Sequence, residues 1–163
     1  NYTIQTSLIQ INPVNKSQID NECIGYVSIR NQQLINLNQQ IIDTPFGLLK
    51  LEMVNNSIES ISNLAFTNLV NLTELRIIGN PFLRSIDWLI FSQLDSLETL
   101  DLSENSLKSI GINIGKSMNV KKLFLGKNLI NYLNGDFCDF PLLENIDLSK
   151  NLIKGITSKT FKI

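Results

Sequence analysis

The sequence predicts an α/β solenoid, with a curved parallel sheet on its concave side and mostly coil and short 3₁₀ structure on its convex side. Three observations carry that reading. The frame L-x-x-L-x-L-x-x-N returns at a near-constant period, its apolar positions alternate as strand residues do, and a second apolar set follows each asparagine. A self-similar period of roughly 20–30 residues marks a chain whose units must stack to bury a core.

The frame reads Leu48-Leu51-Met53-Asn56, Leu72-Leu75-Ile77-Asn80, Leu97-Leu100-Leu102-Asn105, Val120-Leu123-Leu125-Asn128 and Leu143-Ile146-Leu148-Asn151. A degenerate copy, Ile24-Val27-Ile29, precedes them with Gln32 in the asparagine slot. Six coils therefore start at 24, 48, 72, 97, 120 and 143 and occupy residues 24–163. In each L-x-L, successive side chains take opposite faces, so Leu51 and Met53 point inward while Lys50 and Glu52 point outward. One such strand cannot bury its apolar face alone, whereas stacked parallel copies share a continuous core.

The second half of each coil returns apolar side chains to that core: Ile58, Ile61, Phe66 and Leu69 in one, Ile86, Phe91 and Leu94 in the next. A phenylalanine follows the motif asparagine at Phe66, Phe91, Phe137 and Phe161, with Ile114 and Ile42 in the same slot elsewhere. These rings are expected to stack as a spine along the convex side, each burial contributing about 1.5–3 kcal/mol. Coils of this length leave room for at most one short helix, expected between Asp87 and Leu94 in the longest coil. The asparagine has a polar task. The backbone bends inward after each strand and leaves N–H and C=O groups that no sheet satisfies. A carboxamide offers both an acceptor and two donors, so a column of Asn can bridge neighbouring coils.

Residues 1–23 form an N-terminal flank or cap, polar and β-branched with Pro13 as a break, placed to shield the first core face with one or two added strands. The sixth coil reaches Phe161-Lys162-Ile163 without a polar capping segment, so either the native protein continues or another chain covers that end. Asn1-Tyr2-Thr3-Ile4 lacks the basic and apolar regions of a signal peptide. That leaves a mature secreted chain or a cytosolic one. The chain fits one domain in length, with an apolar fraction of 43% and a formal charge of −1. No basic cluster offers a footprint for nucleic acid, and no apolar run reaches the roughly 20 residues of a membrane helix.

Catalytic chemistry has little to stand on. The chain contains no histidine, which removes Ser-His-Asp and Cys-His mechanisms and the commonest zinc ligand. No cofactor or metal is implied. Gly111-Ile112-Asn113-Ile114-Gly115-Lys116-Ser117 imitates a phosphate loop but has three residues between its glycines where four are needed. Asp101-Leu102-Ser103-Glu104-Asn105 lacks the glycine and terminal glutamate of a calcium loop. Cys23 and Cys138 are separated by four strand spacings, about 19 Å, beyond the roughly 7 Å a disulfide allows. They are either two buried thiols or, for Cys23, a bridge to another chain that makes a homo- or heterodimer. Sequons stand at Asn1, Asn15, Asn55 and Asn71, against about three expected by chance in a chain this rich in Asn, Ser and Thr. Asn71, at an exposed edge before its strand, is the best acceptor, while a glycan on Asn55 would obstruct the sheet face.

A ligand then belongs on the outward face of the sheet. Tyr26, Val54, Ile78 and Phe124 place apolar groups there, beside Arg30, Arg76, Asp101 and Lys122. Aromatic residues and arginine carry a disproportionate share of interface energy, and exposed apolar groups matter when contiguous. These eight residues are the candidate partner-binding set, with Arg76, Ile78 and Phe124 as anchors.

The full pattern L-x-x-L-x-L-x-x-N-x-I-x-x-I-x-x-x-x-F-x-x-L resembles the typical subclass of leucine-rich-repeat proteins, as found in Toll-type receptor ectodomains and insect immune proteins. The resemblance covers residues 24–163, and Cys23 to Val27 with Leu34 and Leu37 is similar to the first, degenerate coil of such ectodomains. The chain departs from the pattern at Gln32, at Ser117, at an extra residue near Pro81 and in having no four-cysteine N-terminal cap. The resemblance implies a secreted or cell-surface glycoprotein that recognises a protein ligand or co-receptor, in innate immunity or cell-surface recognition. It carries over no catalytic residue. The alternative is an intracellular leucine-rich-repeat scaffold or regulatory subunit. If the asparagine column bridges coils, Asn105→Leu will lower the melting temperature more than Leu107→Met. Equal melting temperatures would refute the bridging role.

Overall fold

The computed structural model describes residues 10–13, 25–37, 47–111, 118–133, 137, 140–156 and 160, the first group by backbone alone. Strands form at all six L-x-L positions of the frame, and three more form outside it. They are β1 (Gln10–Pro13), β2 (Gly25–Arg30), β3 (Asn36–Leu37), β4 (Leu48–Val54), β5 (Ser60–Ile61), β6 (Glu74–Ile78), β7 (Thr99–Asp101), β8 (Lys122–Phe124) and β9 (Asn145–Asp147). The three outside the frame are β1, β3 and β5. One sheet runs β1-β2-β4-β6-β7-β8-β9, parallel throughout except that β1 pairs antiparallel with β2. A parallel pair, β3 with β5, lies on the flank, and a bridge between Ser109 and Tyr132 repeats it three coils on.

Register aligns the repeats. Val27, Leu51, Leu75, Leu100, Leu123 and Ile146 form one inward row, and Ile29, Met53 and Ile77 begin a second that buried Leu102 and Leu125 continue. Most are fully buried, but Ile146 and Leu148 in the last coil are half-buried.

The asparagine column acts as its chemistry requires. Asn105 accepts from the Asn80 N–H (2.8 Å) and donates to the carbonyls of Ile77 (2.7 Å) and Leu102 (2.8 Å). Asn56, Asn128 and Asn151 repeat the pattern, each donating to a carbonyl of the preceding coil: Ile29, Leu102 and Leu125 respectively. Asn80 departs from it. Its amide reaches only the Ile78 carbonyl of its own coil, and its fully buried Oδ1 has no hydrogen-bond partner.

A conformational column runs beside the polar one. The residue before each asparagine slot has positive φ: Asn31, Asn55, Gly79, Glu104, Lys127 and Lys150, between 54° and 71°. This left-handed step turns the chain out of the strand. It suits Gly and Asn but costs other residues about 1–2 kcal/mol.

On the convex side, Phe66 and Phe91 stack at 6.3 Å as expected. The expected 3₁₀ turn forms at Trp88–Phe91, where Asp87 accepts from the Leu89 N–H. The spine then continues by another route. Trp88 packs edge-on against Phe91 (5.7 Å) and Phe140 (6.3 Å), reaching across the intervening coil, and Phe140 meets Phe137. Gly111 makes this possible, since a Cβ there would lie 2.2 Å from the Trp88 ring. Ile42, Ile114 and Phe161, the phosphate-loop look-alike beyond Gly111, and Cys23 and Cys138 lie outside the described residues.

The positive-φ column yields opposite effects at two of its positions. Gly79→Ala will destabilise by at least about 1 kcal/mol, because its Cβ would lie 2.2 Å from Asn55 Oδ1 at a φ of 71°. Lys150→Gly will stabilise by about 0.5–1 kcal/mol by relieving the same backbone strain without a clash. Thermal denaturation should show melting shifts of opposite sign.

Candidate functional site

Because the strands are in register, outward side chains also fall into columns. Tyr26, Lys50, Glu74, Thr99, Lys122 and Asn145 form one. Ser28, Glu52, Arg76, Asp101, Phe124 and Asp147 form the central one. Arg30, Val54 and Ile78 begin the third, and backbone bonds to the carbonyls of Ser103, Gly126 and Ser149 carry it onward.

The face divides in two. Over β2, β4 and β6 it is an ion-pair network centred on Glu52, which is 3% exposed although it lies on the outward face. Tyr26 Oη and Arg30 Nη2 both donate to Glu52 Oε2. Lys50 Nζ lies 3.4 Å and Arg76 Nη1 3.7 Å from Oε1. Glu74 pairs with Lys50 (3.2 Å) and with Arg76 Nε, and the Lys50 ammonium sits 5.3 Å from the Tyr26 ring centroid. Burial pushes the Glu52 carboxyl up, but the bonds from Tyr26 and Arg30 and the nearby charges of Arg30 and Lys50 outweigh it and leave it below the ordinary range.

Over β7, β8 and β9 the face is different. Asp101 Oδ1 accepts from the N–H (3.0 Å) and hydroxyl (2.6 Å) of Ser103, and Asp147 Oδ1 from the N–H of Ser149 (2.8 Å). The Ser149 backbone and side-chain bonds hold the Asp147 carboxyl below its ordinary value. Phe124 stands between the two aspartates, half-buried.

Of the eight candidate residues, the structure gathers Tyr26, Arg30 and Arg76 around Glu52, sets Val54 beside Ile78, and sets Asp101 beside Phe124. Lys122 is exposed in the neighbouring column. Ile78 and Phe124 are not neighbours, because β7 lies between their strands. The sequence reading missed the roles of Glu52, Lys50, Glu74 and Asp147. The available signal was charge of opposite sign at matching positions of adjacent coils, Lys50 with Glu74 and Glu52 with Arg76. Asn71 and Asn55 are exposed, Asn71 in the turn before β6. Asn1 and Asn15 lie outside the described residues.

A family model described as BspA-type leucine-rich-repeat region matches residues 39–163 in six copies. The chain belongs to this leucine-rich-repeat family. The adenylate cyclase of Schizosaccharomyces pombe is 38% identical over 113 residues, which are 69% of this chain and 6% of that protein. Podocan-like protein 1 of Homo sapiens is 34% identical over 110 residues, 67% of this chain and 20% of that protein. This chain thus spans a fifth or less of either relative. The leucine-rich-repeat ectodomain of the receptor kinase SOBIR1 from Arabidopsis thaliana superposes with a TM-score of 0.48 at 21% identity, covering 89% of this chain and 80% of that one.

The network makes stability depend on acid. The folded Glu52 carboxyl titrates below its unfolded value of about 4.3, so its contribution is complete above that pH. It is lost as pH falls through the lower, folded value. Glu52→Gln should cost about 2 kcal/mol at pH 6–7, and urea unfolding should show the gap to the parent chain narrowing towards pH 2. A gap independent of pH would contradict the assignment.

Proposed function

We propose that the chain is a non-enzymatic recognition module that binds a protein partner through its concave face, outside the cell, in innate immunity or cell-surface recognition. Proteins of this family are in general non-enzymatic and bind proteins. The observation that carries the reading is the set of half-buried apolar side chains, Val54, Ile78 and Phe124, on a sheet face otherwise lined by charged and hydroxyl groups. A purely solvated face gains nothing from them, whereas truncating one aromatic or aliphatic anchor at an interface typically costs about 2 kcal/mol. An extracellular setting is favoured by relatives that are extracellular leucine-rich-repeat proteins, podocan-like protein 1 among them. Exposure of the sequon residues Asn55 and Asn71 fits it too, and Asn71 is the position that can carry a glycan without covering the concave face.

A second reading, an intracellular scaffold or regulatory subunit, is favoured by the match to the yeast adenylate cyclase, where the matching stretch is 6% of the protein. The two diverge on one measurement: N-glycosidase treatment of the native protein shifts its mass only under the first. For the binding face itself, Arg76→Ala/Ile78→Ala/Phe124→Ala should keep a folded circular-dichroism spectrum. It should weaken binding to a partner captured from native fluid at least about a hundredfold. A folded triple variant that binds at full strength would end the reading.

A further inference from the structure

The basic groups at the Glu52 end of the concave face are already committed: Arg30, Lys50 and Arg76 are paired with Glu52 or Glu74. The acidic groups at the other end are not. Among the described residues neither Asp101 nor Asp147 forms an ion pair, and each carboxylate is engaged by the serine two residues on, Asp101 through Oδ1 alone. Register sets them on the strands to either side of Phe124, about 4.8 Å away each.

Gly126 strengthens the arrangement. It has no side chain, and the position a Cβ would take lies 2.8 Å from Asp147 Oδ2 and 3.3 Å from Ser149 Oγ. The Asp147 carboxylate therefore leans over the chain at Gly126, two residues beyond Phe124. Lys122 is on the same strand and face, but its register neighbours are Thr99 and Asn145, and it pairs with neither aspartate.

We infer that Phe124, Asp101 and Asp147 form a subsite for the guanidinium of an arginine side chain on the protein partner. A planar guanidinium stacks on an aromatic face, and its N–H donors lie at its rim, where a carboxylate on each side can accept them. Asp101 keeps Oδ2 for that purpose, since both bonds from Ser103 fall on Oδ1, and the Asp147 carboxylate has acceptor positions beyond those its serine uses. Hydrogen bonds between ionised groups are about twice as strong as neutral ones, and the committed cations at the Glu52 end offer a basic group no such site. This inference rests on the concave face being the docking surface and names the chemistry it selects.

The probe is Nα-acetyl-arginine amide, titrated into the ¹⁵N-labelled chain, with the neutral isostere Nα-acetyl-citrulline amide as control. The arginine probe should shift the amides of Asp101, Phe124, Gly126 and Asp147 saturably, and citrulline should bind at least fivefold more weakly. Asp101→Asn/Asp147→Asn keeps both Oδ1 acceptors for the serine N–H groups and should lose at least fivefold for arginine. Equal binding of citrulline would overturn the inference, as would shifts gathering instead at Glu98, Glu104 and Glu144, exposed carboxylates elsewhere on the surface. If the double variant loses its dispersed spectrum, the citrulline comparison on the unaltered chain still decides. A failed titration leaves the protein-binding reading intact, because that reading is judged by the triple variant against its captured partner.

Discussion

Every coil must turn sharply out of its strand into a dry interior, and the buried polar backbone this exposes is the constraint from which the rest of the structure follows. A buried amide without a partner costs about 1–3 kcal/mol, so six repeated turns would leave a large penalty. The asparagine column removes most of it with one side chain per coil. It accepts an N–H and donates to carbonyls of its own and the preceding coil. The left-handed residue just before each slot aims the carboxamide inward. Hydrophobic burial then supplies the bulk of the driving force, but it is non-directional. The polar column fixes how one coil sits on the next.

Fixed stacking is what turns scattered surface residues into columns. Residues 23 to 25 apart in sequence become neighbours about 4.8 Å apart, so charge at equivalent positions is read between strands and not along them. Glu52 shows the consequence. Alone on an exposed strand it would be a solvated carboxylate, yet Tyr26 and Arg30 on one neighbouring strand and Arg76 on the other close over it. That end of the concave face is internally neutralised and rigid. At the end bearing Phe124 the two aspartates have serine partners but no ion pair among the described residues, so the two halves of one sheet present different chemistry.

What the sequence disclosed and what it withheld divide along the same line. Features that recur were legible: the inward rows, the asparagine slot and the outward columns, and beside them the length of the 25-residue coil marked the place of the short helix. Features that occur once were not. Trp88 lies outside the repeated phenylalanine slot, and only the absence of a side chain at Gly111, in the next coil, lets its indole reach Phe140. Glu104, Lys127 and Lys150 do not advertise a left-handed backbone by residue type, although the asparagine that follows each marks the position in retrospect. Burial of Glu52 depends on partners 22 to 26 residues away, which a strand-by-strand reading treats as unrelated. Among the candidate residues, membership of the face was legible and grouping was not, because Ile78 and Phe124 are apolar alike but sit on strands separated by β7.

The break at Asn80 shows how the remaining interactions are distributed. This asparagine makes no side-chain bond to the preceding coil, and its Oδ1 is buried without a partner. It precedes Pro81 in the coil that carries an extra residue, so the carboxamide is out of step with the coil before it. The same junction, between the coils starting at 48 and 72, carries the Glu52–Arg76 and Lys50–Glu74 ion pairs. It also carries the Phe66–Phe91 stack. A ring stack and a partly buried ion pair each contribute about 1 kcal/mol, comparable to the missing rung. Those side chains therefore have a structural reason to be where they are, which the outward groups near Phe124 lack: Asp101, Phe124 and Asp147 join coils whose asparagine rungs are intact. A side chain that the stack does not need is one that recognition is free to use, and this weighs towards the Phe124 end of the concave face as the half that meets a partner.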